Sequence, residues 1–152
     1  MSILHVSLSA DDPERIARFL AGIMGGYALE FPPFPGAWIA FARADDGTAI
    51  EVYPTTHVLT IGHESVACEV VEPHRRPTFA HAAISSTLER EEIFSLGAQE
   101  GWVTRVCNRG PFACIEIWLE DRLLVEVLDP DMQADYASGM TVRNWRAMFG
   151  MD

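Results

Sequence analysis

Cysteine is scarce in this chain. Only Cys68, Cys107 and Cys114 occur in 152 residues, with no C-x-x-C pair among them. An odd, sparse set fits reduced thiols and argues against a disulfide framework. Cys107 and Cys114 read as buried packing thiols, or as a pair facing each other across a hairpin. Basic residues are also few: 11 Lys+Arg stand against 22 Asp+Glu, for a net charge of −11. With a pI near 4.7, such a surface repels phosphate backbones, so nucleic acid is not an expected partner. No apolar run is long enough to span a bilayer, which sets membranes aside too. The opening residues carry no signal-peptide pattern, because Asp11, Asp12 and Glu14 interrupt them. The expected location is cytoplasmic. What is present is apolar residue, 49% of the chain, enough to bury the core of one globular domain.

The order of elements repeats. Ile3–Ser9 alternates as a strand, and Asp11 or Asp12 followed by Pro13 and Glu14 starts a helix. Ile16, Phe19, Leu20 and Ile23 give that helix its apolar face, and Gly25-Gly26 ends it. Tyr27–Phe31, Ala37–Ala44 and Ala49–Tyr53 follow as strands, and Pro54 stops the last. The second half has the same plan. Phe79–Ser85 is predicted as a strand, with Ser86 or Thr87 capping a helix over Leu88–Gln99. Gly101 closes that helix, and strands follow at Trp102–Asn108, Ala113–Leu119 and Leu123–Leu128 before Pro130. His5 and His81 lie 76 residues apart; Gly25 and Gly101 each follow their own histidine by 20 residues, and Pro54 and Pro130 by 49. The pattern predicts two βαβββ modules. Module one is 1–54, the linker 55–78 and module two 79–130. The linker holds His57, His63, His74, Arg75 and Arg76, with a short strand near Val66–Val71. The tail, 131–152, places Trp145, Met148 and Phe149 at near-helical spacing, as a helix docking on the body or on a partner.

Within this repeat, Ala49–Tyr53 and Leu124–Leu128 each carry one carboxylate inside an apolar strand, Glu51 and Glu126. Side chains alternate along a strand. Ile50, Val52, Val125 and Val127 therefore take the helix side, and the two glutamates the other. An unpaired buried carboxylate is costly, and a metal ion is one efficient partner. By the same alternation His5 and His81 point away from the helices. Each module thus offers a histidine on its first strand and a glutamate on its last, at intervals of 46 and 45 residues. Two imidazoles and two carboxylates, His5, Glu51, His81 and Glu126, suit one divalent ion: Ni, Zn, Fe, Co or Mn. Arg105 and Arg109 alternate on a strand of module two, where they either anchor a substrate carboxylate or lie on the surface. Tyr53, Trp38 and Trp118 either line a pocket or belong to the core.

At these residues the chain resembles the vicinal oxygen chelate superfamily, the glyoxalase, bleomycin-resistance and dioxygenase group. The resemblance covers both modules and rests on topology, repeat length and ligand order. It implies an α+β fold in which tandem βαβββ modules form a curved mixed sheet around a central cavity, followed here by a helical tail. It also implies a metal held by His5, Glu51, His81 and Glu126, in the order of glyoxalase I-like members. The implied activity is that of a metal-dependent lyase or isomerase. It would act on a small substrate with vicinal oxygens, by proton transfer through an enediolate-type intermediate. Glu126 is the first candidate for the base and Glu51 the second. A homodimer is the expected assembly. The rival readings are a ligand-sequestering resistance protein, a ring-cleaving dioxygenase, a thiol transferase, and a structural protein without metal.

Overall fold

The computed structural model describes residues 3–63, 65–73 and 79–151. His74, Arg75 and Arg76 of the linker lie outside them. The chain forms two compact units, Met1–Pro77 and Thr78–Asp152, and each contains one predicted module.

In the first unit, strand β1 (His5–Ala10) leads into helix α1 (Pro13–Met24), then β2 (Tyr27–Glu30), β3 (Trp38–Phe41) and β4 (Ala49–Pro54). The helix begins where its chemistry says it should. The Asp12 carboxylate accepts from Arg15 N, Pro13 sits in the first turn, and Gly25 ends the helix at φ 64°. Ile16, Leu20 and Ile23 are fully buried on the face that meets β2, β3 and β4. Burial of each contributes about 1.5–3 kcal/mol. The sheet order is β1-β4-β3-β2, with β1 parallel to β4 and the other pairs antiparallel. Where the sequence suggested a linker with one short strand, the chain forms a hairpin, β5 (His57–Ile61) and β6 (Val66–Val70).

The second unit repeats the order with β7 (Ala82–Ser85), α2 (Arg90–Glu100), β8 (Thr104–Asn108), β9 (Ala113–Leu119) and β10 (Leu123–Leu128). Its sheet order is β7-β10-β9-β8, with β7 parallel to β10. Several boundaries differ from expectation, including the start of β8 at Thr104 where Trp102 was expected. The first strand starts only at Ala82, so His81 lies just ahead of it. The helix is capped by Glu89 through a reciprocal capping box with Glu92, not by Ser86 or Thr87. The Ser86 hydroxyl instead accepts from Leu88 N, a local turn that delays the helix.

The tail is two helices, α3 (Pro130–Gly139) and α4 (Val142–Phe149). The first docks within its own unit. Asp129 caps it and pairs with Arg90 at 2.9 Å, and Tyr136 meets Phe112 edge-on at 4.6 Å between centroids. No residue of α4 is buried, and Trp145 and Phe149 pack on each other along it. Among the described residues, no helix is long and apolar enough to cross a membrane.

Candidate active site

In the first unit the site grows from β4. Ile50 and Val52 turn to the helix side and are almost wholly buried, so Glu51 and Tyr53 must face the other way. Parallel pairing with β1 sets Ser7 opposite Glu51 and Ser9 opposite Tyr53. The Ser7 hydroxyl donates to Glu51 Oε2 at 2.9 Å, and the Tyr53 hydroxyl donates to the same oxygen at 2.8 Å. The tyrosine ring is held edge-on by Phe31 and Phe34, at centroid distances of 6.0 and 5.2 Å. Burial, reinforced by the bond to Glu51, pushes the Tyr53 phenol well above its usual range, so it stays a donor. His5 lies two residues before Ser7, on the same side of β1, and is exposed. A cavity of about 220 Å³ borders this face. It is lined by Ser7, Ser9 and Tyr53 from the sheet and by His57, Val58 and Leu59 from β5.

In the second unit the alternation of β10 does the same work. Val125 and Val127 are fully buried on the helix side, and Glu126 faces away. Its partner across β7 is Ala83, two residues after His81, as Ser7 is two residues after His5. The two glutamates therefore occupy equivalent registers, each opposite the residue two places after a histidine; His5 lies within its strand and His81 just ahead of its own. His81 Nδ1 lies 2.8 Å from the carbonyl oxygen of Phe79. A carbonyl only accepts, so Nδ1 carries a proton, and in the neutral ring Nε2 keeps the lone pair.

Glu126 is not solitary. Across the β9–β10 ladder it stands opposite Glu116, which is buried at 4% exposure. Two carboxylates this close require cations. Arg109 supplies one, donating from Nε to Glu126 Oε1 at 2.8 Å and from Nη2 to Glu116 Oε1. Arg105 Nε donates to Glu116 Oε2 at 2.7 Å, and the indole of Trp118 adds a bond to that oxygen at 3.2 Å. Burial pushes the Glu116 carboxyl up, but the donors Arg105, Arg109 and Trp118 outweigh it and hold it at about 2. The bond to Glu126 raises Arg109, and that to Glu116 raises Arg105, above the ordinary guanidinium range.

Sequence reading missed Glu116, although a carboxylate inside the apolar run Ala113–Leu119 is the same signal that singled out Glu51 and Glu126. It also left Arg105 and Arg109 as substrate anchors or surface groups, whereas both are committed to carboxylates of their own unit. Trp38 stands opposite Val52 on the helix side of the first sheet, under the guanidinium of Arg18 at 5.1 Å. It is therefore on the wrong face to line a pocket with Glu51. Tyr53 and Trp118 do share the faces of Glu51 and Glu116.

The chemistry of the donors decides whether a metal ion fits. Among the described residues, no three or more His, Cys, Asp or Glu side chains converge as a metal site. Each unit carries one of the expected histidines and one of the expected glutamates. Each glutamate spends a single oxygen on its neighbours: Oε2 of Glu51 on Ser7 and Tyr53, and Oε1 of Glu126 on Arg109. Among the described residues the other oxygen of each accepts no hydrogen bond. In the first unit, His5 lies on the same side of its strand as Ser7, the partner of Glu51, and an imidazole and a carboxylate are donor types that suit a divalent ion.

The architecture of repeated βαβββ units is shared with proteins of known structure. No family model and no curated protein matches the chain by sequence. The chain has the fold of the vicinal oxygen chelate proteins. One similar structure is a single-site variant of the fosfomycin resistance protein FosX from Listeria monocytogenes, complexed with Mn(II) and 1S,2S-dihydroxypropylphosphonic acid. It shares 14% identity over 97% of each chain, with a TM-score of 0.57. A second is the trypanothione-dependent glyoxalase I of Leishmania major, at 12% identity over 100% of this chain and 99% of that one, TM-score 0.54. A third is FosX from Mesorhizobium loti, at 12% identity over 83% and 89%, TM-score 0.52.

Proposed function

We propose that this chain is a divalent-metal-dependent enzyme of the glyoxalase kind. It would act on a small molecule with two vicinal oxygens and move a proton between adjacent carbons. The observation that carries the reading is the equivalent register of Glu51 and Glu126, each opposite the residue two places after a histidine and each, among the described residues, with one oxygen that accepts no hydrogen bond. The similar folds of a glyoxalase I and of a Mn(II)-complexed FosX support it. His5, Glu51, His81 and Glu126 would hold the ion, as Ni, Zn, Fe, Co or Mn, with both modules acting as one domain. When bound, the ion supplies Lewis-acid stabilisation of negative charge on the substrate oxygens.

The chain's own residues divide the remaining work. Glu126, tied to a guanidinium, is suited to stay a fixed anchor. Among the described residues Glu51 is held by the hydroxyls of Ser7 and Tyr53, which can follow it or release it. Glu51 is therefore the better base, the reverse of the order expected from sequence. His81, with Nδ1–H fixed on the Phe79 carbonyl, presents Nε2. The Tyr53 hydroxyl orients the Glu51 carboxylate for proton transfer.

The test is elemental analysis of untagged protein, wild type beside Glu51→Ala and His81→Ala, followed by a hemithioacetal screen with the identified ion. One ion per chain, lost in both variants, is the expected result. A folded wild type that takes up no Ni, Zn, Mn or Fe would overturn the enzyme reading and leave a ligand-sequestering protein.

A further inference from the structure

We propose that Arg109 is a positioning residue for Glu126, pinning Oε1 while Glu116 backs the guanidinium, so that Oε2 alone is presented as a donor. The inference rests on the metal-dependent reading of the site. It starts from an asymmetry: Nε and Nη2 of Arg109 lie 2.8 and 2.7 Å from one oxygen of Glu126 and engage no other atom of it. A guanidinium facing an isolated carboxylate commonly takes both oxygens. Here the fork is shared, because Nη2 also reaches Glu116 Oε1. Glu116 is in turn fixed by Arg105 and Trp118 on its other oxygen.

Three consequences follow from that chain of bonds. Rotation of the Glu126 carboxylate about its terminal torsion is blocked. Two-oxygen ligation would require breaking a charge-assisted pair within a largely buried cluster; the Glu126 side chain is 7% exposed. The negative charge of the Glu116–Glu126 pair is kept in balance before any ligand arrives. Partners of this kind, hydrogen-bonded behind a ligating group, set its orientation, and their loss weakens metal binding. Lysine could not replace Arg109, since a compact ammonium has no planar fork to span two carboxylates in fixed geometry.

The experiment titrates Mn(II) into the full chain and follows free ion by electron paramagnetic resonance, with near-ultraviolet circular dichroism to confirm packing. Arg109→Met should weaken Mn(II) binding roughly tenfold or more and broaden or shift the bound-ion spectrum. Arg109→Lys should recover only part of the loss. Glu116→Gln, which leaves Arg109 in place but unbacked, should weaken binding less than Arg109→Met. If Arg109→Met fails to fold, the other two variants decide. Affinity within twofold of wild type in the folded variants overturns the inference alone. Tighter binding would show that Arg109 competes with the ion rather than presenting its ligand, and overturns it as well. Absence of Mn(II) binding by wild type removes the metal reading and this inference with it.

Discussion

Glu116 and Glu126 face each other directly across the β9–β10 ladder, and Arg109 bonds to both. Like charges in opposed positions destabilise a sheet by themselves, so this pair is tolerable only with its arginines. The arrangement has a signature in pH. The Glu116 carboxyl is depressed to about 2 from an ordinary 4.5. A depressed carboxyl contributes stability that is fully present above pH 4.5 and is lost as pH falls towards 2. After discounting for the exposure of Arg105, the contribution is on the order of 2 kcal/mol. Glu116→Gln should lower the urea midpoint at pH 7 and flatten its decline between pH 4.5 and 2. An unchanged acid limb in the variant would show that Glu116 is not held by these donors.

Tyr53→Phe keeps the aromatic cage of Phe31 and Phe34 and removes only the hydroxyl donated to Glu51. Thermal stability should change by no more than about 1 kcal/mol, while turnover with the substrate found by screening should fall roughly tenfold to a hundredfold. Ser7→Ala, which removes the second donor to the same oxygen, should act in the same direction. Full turnover in the double variant would remove both from the site.

The packing of α1 on its sheet depends on Gly26. A methyl group there would meet the backbone carbonyl of Phe41 on β3, and backbone cannot swing aside as a side-chain tip can. Gly26→Ala should cost about 1–3 kcal/mol, read as a lowered melting temperature. Gly139→Ala, whose methyl would meet the Pro111 carbonyl, should loosen α3 from its own unit. Gly22 has nothing near its missing side chain, so Gly22→Ala serves as the control and should be neutral or stabilising.

The thiols should differ in reactivity. Cys68 is exposed, Cys107 half-buried and Cys114 buried. Burial and the nearby Glu126 push the Cys114 thiol up to about 12, which keeps it protonated and unreactive. Labelling of the folded chain with an aromatic disulfide reagent should modify Cys68 first and leave Cys114 untouched until denaturant is added. Cys107 and Cys114 stand opposite each other on β8 and β9, so early labelling of Cys114 would show that this hairpin is open.

What the sequence determined by itself was periodic. Strand alternation at Ile50-Glu51-Val52 and Val125-Glu126-Val127 assigns each glutamate to the face away from its helix, because successive side chains can only point to opposite sides. The caps at Asp12 and Gly25, the stop after Glu100 at Gly101 and the repeat itself are local or arithmetic, and were legible for that reason. Boundaries set by competing local bonds were less so. Ser86 has the composition of a helix cap, yet its hydroxyl closes a turn, and Glu89 takes the cap with Glu92. The partners of the site residues were decided only by tertiary structure. That Ser7 and Tyr53 share one oxygen of Glu51 depends on the register of β1 against β4. That Arg109 reaches Glu126 depends on β8, β9 and β10 lying side by side, seventeen residues apart along the chain. Glu116 carries the same sequence signal as Glu51 and Glu126, but only the ladder set it opposite Glu126, where two negative charges and a buried face made the arginines necessary. Trp38 shows the same limit from the other side: its aromatic ring suggested a pocket, and the register with Val52 turned it to the helix.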